Sequence, residues 1–443
     1  FVNLQHFMKS VNLASSKGTF DDFKKDILND FYIASLSRQV SILGRKEVLS
    51  GKGKFGIFGD GKELPQIAMA KAFQKGDFRS GYYRDQTFMM AIDCLTPQQI
   101  FAGLYAHTDP NHEPMSSGRQ MGGHYNTDLI DENGSWLTQT DRYNSSSDVS
   151  CTASQMPRLV GLAMASKLYR SEKSFDNPKF SINGNEVAWG TIGNASTSEG
   201  LFFESFNAAG VHQIPMVISV WDDEYGISVD NSFQTVKESI SEALAGFKRN
   251  KSKDGFEIFS VKGWDYPNLI HTFQKSGEIA RTNHVPVLIH VTELTQPQGH
   301  STSGSHERYK SDNRLKWEKE NDCNLKFRSW IIDNNIATEA ELEAIETSSK
   351  QEAKKAKENA WEASLEPIRN EAKQLTNCLS DAADEGLIKE GQRLLKDKSI
   401  NRKKIASFAR KSLRVLRKQP HFQTEKLHSW IANYFEETQP KFS

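Results

Sequence analysis

The residues of this chain best suited to chemistry are an amide and a carboxylate, Asn194 and Asp223, each set just after a short apolar run (187–192 and 216–221). Between them lies a Gly/Ser/Thr-rich turn in which Ser196 or Ser198 would cap a helix, then Phe202, Phe203, Phe206, Ala209 and Gly210 at helical spacing, ended by Pro215. The pattern is strand, helix, strand. Strands joined in this way are parallel, and ligands of such units sit beyond the strands' carboxyl ends, which brings Asn194 and the neighbours Asp222 and Asp223 to one site. A helix N-terminus beside them favours phosphate. Mg2+ takes one or two protein oxygens and fills its shell with water and phosphate oxygens, so Asn194, Asp223 and the main-chain carbonyl of Tyr225 would suit a diphosphate held by Mg2+. Neither a GxGxxG dinucleotide turn nor a GxxxxGK[ST] phosphate loop is present.

Other polar residues fall where loops should carry function. Tyr83, Arg84 and Asp85 follow a short apolar segment, and Arg84 there is either a bidentate anion ligand or the structural partner of a carboxylate. A long Pro/Gly/Ser-rich loop carries Arg119, Gln120, His124 and Tyr125. After the polar run 144–148, a turn presents Ser150, Thr152, Ser154 and Gln155, of which helix capping accounts for one. His300 stands in a polar loop; a loop histidine is commonly just solvated, but the carboxyl end of another strand candidate raises its functional weight.

The elements that must position these groups alternate. Apolar runs at 256–265 and 286–295 add two strands, separated by a helix over 266–282, and further helices are expected over 21–49, 63–73, 97–107 and 157–168. Alternation of this kind predicts an α/β fold with a doubly wound, mostly parallel sheet. From Asn313 the chain becomes rich in Lys, Glu and Ala, and helices are expected over 313–332, 337–380, 383–396 and 400–418. The expected organisation is an N-terminal arm (1–20), an α/β domain (21–335) and a C-terminal helical extension (336–443). The basic helix 400–418 reads as a solvated face packed through Ile405, Phe408 and Leu416, or as a dock for an acidic partner.

Composition restricts the function classes. Lys+Arg and Asp+Glu both number 56, which gives no support to nucleic-acid or membrane-surface binding. The four cysteines are scattered without CxxC spacing, so neither a zinc site nor a disulfide framework is expected. No apolar run approaches about 18 residues and no secretory pattern opens the chain, so a cytoplasmic protein is expected.

At this point the motifs carry a resemblance. GNASTSEGLFFESFN followed by WDDEYGIS resembles the thiamine diphosphate motif, and the separation of Asn194 from Asp223 is the spacing of that family. YYRD (82–85), SGRQMGGHY (117–125), SCTASQMP (150–157) and GHSTSG (299–304) follow the order seen in the alpha subunit of the decarboxylating component of 2-oxo acid dehydrogenase complexes. RQMxxHY is more similar to branched-chain (2-oxoisovalerate) members than to pyruvate ones. The resemblance implies the thiamine-diphosphate-binding fold, with Tyr83, Arg84, Gly193, Ala195 and His300 on the cofactor and Asn194, Asp223 and the Tyr225 carbonyl on Mg2+. Ser150 and the backbone of Thr152 would face the aminopyrimidine, Ser154 and Gln155 match a loop that holds K+ in some relatives, and His300 would stand near the reacting carbon as the catalytic residue.

The implied activity is oxidative decarboxylation of a branched-chain 2-oxo acid with acyl transfer to a lipoyl group on an acyltransferase core. The alternatives are a pyruvate-directed subunit and a non-catalytic scaffold. The implied partner is a beta subunit in an alpha2beta2 assembly, or a fused beta half reached through the helical extension. Such complexes work in the bacterial cytoplasm or the mitochondrial matrix. Carboxylate and amide are exchanged between Asn194 and Asp223 relative to the family pattern, and Trp221 and Gln296 stand where basic residues are common.

Overall fold

The computed structural model describes residues 19–250, 254–380, 384–417 and 425–442; the expected arm lies, up to residue 18, outside them. The chain opens with α1 (Phe20–Leu49), set by a capping box in which Thr19 and Asp22 satisfy each other's amides. Then follow α2 (Glu63–Ala72), β1 (Phe78–Ser80), a short helix, α3 (Pro97–Leu104), β2 (Asn144–Ser145), α4 (Gln155–Ser171), β3 (Ala188–Gly193), α5 (Gly200–His212), β4 (Met216–Trp221) and the hairpin β5 (Tyr225–Gly226) with β6 (Val229–Asp230). The α/β part closes with β7 (Glu257–Lys262), α6 (Tyr266–Asn283) and β8 (Val287–Thr292).

Six strands form one sheet in the order β2-β1-β3-β4-β8-β7, every neighbouring pair parallel. The fold is the doubly wound α/β sheet that the alternation predicts. Both faces are covered, as the period of two along the strands shows. Val217 and Trp221 of β4 join Trp189, Val287, Ile289 and Val291 under α1, α2 and α6, whereas Met216, Ile218 and Val220 face Leu159, Phe202 and Phe206 of α4 and α5. Each such fully buried side chain contributes about 1.5–3 kcal/mol.

The chain passes from β1 to β2 on one side and returns to β3 on the other, so the strand order reverses between β1 and β3. Neither β1 nor β2 is apolar, and the sequence marked β2 only as a polar run. What holds them is the wholly buried Arg79. It donates to Asp85 Oδ2 at 2.8 Å, to both Asp148 oxygens at 3.0 Å, to Ser145 Oγ at 2.9 Å and to the Tyr82 carbonyl at 3.1 Å. One guanidinium thus ties β1, β2 and the turn that carries Tyr83 and Arg84.

α5 begins later than the capping reading implies. Ala195–Ser198 forms a 3-10 turn, Glu199 precedes Gly200 with no side-chain cap, and Ser198 Oγ donates instead to the Gln234 carbonyl. The expected helix 313–332 is two helices, α7 (Asp312–Glu320) and α8 (Cys323–Asp333), because Asp322 caps the second by accepting from the amides of Asn324 and Leu325.

Beyond lies α9 (Glu339–Cys378), then α10 (Glu385–Lys396), α11 (Arg402–Leu416) and, beyond the expected helices, α12 (Glu425–Phe442). The first half of α9 lays Ala353, Ala356 and Ala360 against Leu36, Val40 and Phe101. Its second half packs with α10 to α12 around Leu375, Leu394, Ile405, Phe408 and Leu416. Pro367 sits inside α9, where it cannot donate to the Ala363 carbonyl, and His107 Nε2 meets that carbonyl at 3.2 Å. On α11, Arg402 pairs with Glu371 and Lys411 with Glu390, so much of its charge is already partnered on the solvated face. No helix among the described residues is long and apolar enough to cross a membrane.

Replacing Arg79 with Met leaves the buried Asp85 and Asp148 uncompensated. Arg79→Met is expected to lower the unfolding free energy by about 3–5 kcal/mol in urea titrations, and a loss below about 1 kcal/mol, the size of an ordinary surface ion pair, would contradict this role.

Candidate functional site

A cavity of about 340 Å³ opens beyond the carboxyl ends of β1, β3 and β4, at the reversal of strand order. Tyr83 and Arg84 reach it from the turn after β1, Gly193, Asn194 and Ala195 from the end of β3, and Asp223 and Tyr225 from the end of β4. Thr152 and His300 complete the predicted residues it gathers. Ser150 is exposed outside its lining, with Oγ 2.7 Å from His124 Nε2. Gln155 is spent on the fold: its Nε2 donates to the Thr191 carbonyl of β3. A cleft of about 780 Å³ lined by Arg38, His306, Glu318 and Glu346 is larger. Size does not decide here, because Arg38 and Glu318 are already ion-paired and no strand ends converge on that cleft.

The neighbours Asp222 and Asp223 divide. They point to opposite sides of the extended chain, so Asp222 Oδ2 lies 2.8 Å from His290 Nε2 on β8, whereas Asp223 turns into the cavity. There it meets a residue that the sequence reading did not single out. Lys62, 1% exposed, donates from Nζ to Asp223 Oδ2 at 2.9 Å, to the Thr295 carbonyl at 3.0 Å and to Gln296 Oε1 at 2.7 Å. Burial works against the Asp223 carboxylate, but Lys62 and Arg84 hold its pKa down to about 2, so it is ionised.

Lys62 is delivered by a built loop. Gly61 has φ +85°, and a Cβ there would lie 2.2 Å from the Thr295 carbonyl oxygen, so only glycine lets the chain pass this close. The Gly61 amide donates to Glu63 Oε2 at 2.9 Å, and Arg38 of α1 grips the Glu63 carboxylate through Nε at 2.6 Å and Nη2 at 2.9 Å.

Arg84 lines the cavity, whereas the carboxylate pairing falls to Arg79. Arg84 Nη1 donates to the Phe58 carbonyl at 2.7 Å and Nη2 to the His300 carbonyl at 3.0 Å. Nη2 also lies 2.9 Å from His300 Nδ1. A guanidinium only donates, so Nδ1 is the acceptor and the ring proton sits on Nε2. Burial and the Arg84 charge push the His300 pKa down to about 3. The ring is therefore neutral, with one N–H to offer.

Two cations, Lys62 and Arg84, against one carboxylate give the cavity an excess of positive charge. Asn194 Nδ2 is buried in its wall and finds no hydrogen-bond partner among the described residues. That donor set fits an anionic group such as a diphosphate. It does not fit the expected Mg2+ on Asn194, Asp223 and Tyr225. Asp223 Oδ2 is taken by the Lys62 ammonium at 2.9 Å and Oδ1 accepts from the Tyr225 amide at 3.3 Å, so the one carboxylate of that set is already engaged and its charge already met.

Comparison with known proteins bears on the same residues. A family profile described as "Dehydrogenase E1 component" matches residues 34–368. The 2-oxoisovalerate dehydrogenase subunit alpha of Bacillus subtilis is 25% identical over 368 residues, covering 81% of this chain and 99% of its own. The pyruvate dehydrogenase E1 component subunit alpha of Rickettsia prowazekii is 26% identical over 304 residues (68% and 81%), and the mitochondrial one of Dictyostelium discoideum 25% over 313 (70% and 71%).

The unfolded chain protonates the His300 ring below about pH 6.5, whereas the folded chain keeps it neutral to about pH 3. The stability from the neutral ring is thus fully present above pH 6.5 and is lost as pH falls toward 3. Thermal unfolding of wild type and His300→Gln between pH 7 and 4.5 is expected to show the shallower acid decline in the variant; parallel declines would contradict a neutral, half-buried His300.

Proposed function

We infer the function from one premise: the chain belongs to the dehydrogenase E1 component family. We propose that it is the alpha component of a thiamine-diphosphate-dependent 2-oxo acid dehydrogenase, acting on a branched-chain 2-oxo acid. The observation that carries this reading is the single cavity at the strand-order reversal in which Tyr83, Arg84, Asn194, Asp223 and His300 meet.

Bound there, thiamine diphosphate would supply the electron sink that lets a 2-oxo acid lose CO2. The work of the chain is to hold and shield it. Arg84, with the Asn194 amide N–H, would take the diphosphate, and the Gly193–Ala195 turn offers backbone against it. Gly193 lines the cavity, where a Cβ would only touch Tyr82 Oη at 3.7 Å. Neutral His300, with Nδ1 turned to Arg84, presents Nε2–H as a fixed donor and does not compete as a base. Thr152, exposed at the rim, and Ser150 would face the aminopyrimidine.

A second chain is part of this reading. Ile227, Val229, Phe233 and Val236, on the segment that follows Asp223, are 63%, 45%, 83% and 73% exposed, an apolar surface beside the cavity. We assign it to a beta subunit or fused beta half, with a lipoyl-bearing acyltransferase core as acyl acceptor and the cytoplasm or mitochondrial matrix as compartment. The RQMxxHY motif and the near-complete span of the Bacillus subtilis relative support the branched-chain substrate; the similar identity of the pyruvate-named relatives supports pyruvate as the second reading.

Decarboxylation rates of the assembled enzyme with 2-oxoisovalerate and pyruvate separate the two. The kcat/KM for 2-oxoisovalerate is expected to be higher by about tenfold or more, the scale on which a hydrophobic pocket distinguishes added methyl groups. A preference for pyruvate would overturn the substrate assignment, and turnover of neither would overturn the enzymatic reading. Arg84→Gln is expected to weaken thiamine diphosphate binding about 10- to 100-fold in calorimetry, as loss of a charged hydrogen-bonding partner does; unchanged affinity would remove Arg84 from the site.

A further inference from the structure

Besides Arg84, two positions where the resemblance implies a basic residue near the diphosphate are neutral in this chain, Trp221 and Gln296. Trp221 is wholly buried in the core, its ring 6.2 Å from Phe273 and its Nε1 3.4 Å from Asp85 Oδ1, so it offers nothing to a phosphate. Gln296 is neutral, and Asn194 replaces a carboxylate with an amide. One positive charge has instead been built in from another element. Lys62 Nζ stands inside three oxygens drawn from the end of β4 and the segment after β8: the Asp223 carboxylate, the Thr295 carbonyl and the Gln296 side-chain oxygen. That is an oxygen cage around a cation, sized for an ammonium.

The exchange between Asn194 and Asp223 follows from the same cage. A buried lysine needs one carboxylate as counter-ion, and Asp223 provides it at 2.9 Å. A single charge leaves no call for a second carboxylate, and the side chain of Asn194, which lines the cavity, is neutral, its Nδ2 buried and without a hydrogen-bond partner among the described residues. The cage is also held from behind. Gly61 allows the close approach to Thr295, the Arg38–Glu63 pair fixes the loop, and Gln296 Nε2 is anchored on the Asp60 carbonyl at 3.2 Å.

We propose that the Lys62 ammonium is a tethered replacement for the divalent cation, so that this chain binds its diphosphate cofactor without Mg2+. The proposal rests on the thiamine diphosphate reading. With the three N–H groups of Nζ engaged by the protein, the cofactor meets the charges of Lys62 and Arg84 at the cavity wall.

The test is a calorimetric titration of thiamine diphosphate into the full chain with its partner subunit, in EDTA and in saturating MgCl2. Wild type is expected to bind with affinities that agree within about threefold, a difference below 1 kcal/mol. Lys62→Gln is expected to bind at least about tenfold more weakly in EDTA and to regain affinity in MgCl2, because Asp223 is then free to hold the metal. Should that variant fail to fold, titration of Mn2+ alone into wild type replaces it: no stoichiometric binding supports the proposal, and tight binding overturns it. Wild-type binding that vanishes in EDTA and returns with MgCl2 overturns the proposal while leaving the cofactor reading intact. Absence of binding in both buffers overturns both.

Discussion

The contact on which the site depends is the ion pair between Lys62 and Asp223. A lysine 1% exposed is tolerable only if its charge is met by a carboxylate and its N–H groups by oxygens, and all of these conditions are satisfied within 3.0 Å. Several separate features exist to make the pair possible. Gly61 lets the backbone pass against Thr295, Glu63 holds the Gly61 amide, and Arg38 holds Glu63. Parallel pairing of β4 with β8 then places Asp223 next to the segment that supplies the remaining oxygens. Removing either charge would leave the other largely buried and without its counter-ion.

A buried guanidinium does for the rest of the cavity what this pair does for its floor. Arg79 binds Asp85 and Asp148 and fastens two strands that have almost no apolar residues of their own. The turn from Tyr82 to Asp85 is thereby fixed at the point where strand order reverses, and Arg84 is left free to face the cavity. The two arginines, five residues apart, thus divide by place: Arg79 lies within β1 and pairs with buried carboxylates, whereas Arg84 lies on the turn after it and lines the cavity. His300 is locked in turn by Arg84, whose donors dictate its tautomer and whose charge keeps it neutral.

Much of this architecture was legible in the residues. The runs at 187–192, 216–221, 256–265 and 286–295 are hydrophobic because both faces of the sheet are covered, and they correspond to β3, β4, β7 and β8. β1 and β2 were not legible as strands: they are three and two residues long, and their stability comes from Arg79, not from apolar burial. The break between α7 and α8 escaped because the periodicity runs through it, and only Asp322, also bound to Arg38, marks the new start. Asp222 and Asp223 were inseparable in sequence, since their roles follow from which side of one strand end each occupies. Lys62 was hidden in a Gly-rich loop that reads as a connector. Its signal was indirect: Trp221 and Gln296 remove positive charge from a site that needs it, and the missing charge had to come from elsewhere.

On the proposal made above, a protein ammonium, not a metal ion, stands beside Asp223 when the cofactor is bound. Crystals of the assembled enzyme grown with thiamine diphosphate and MnCl2, with diffraction recorded at the manganese absorption edge, address it directly. No anomalous peak is expected between Asn194 and Asp223, with Lys62 Nζ still within hydrogen-bond distance of the Asp223 carboxylate. A manganese peak at that position, with Lys62 displaced from Asp223, would contradict it.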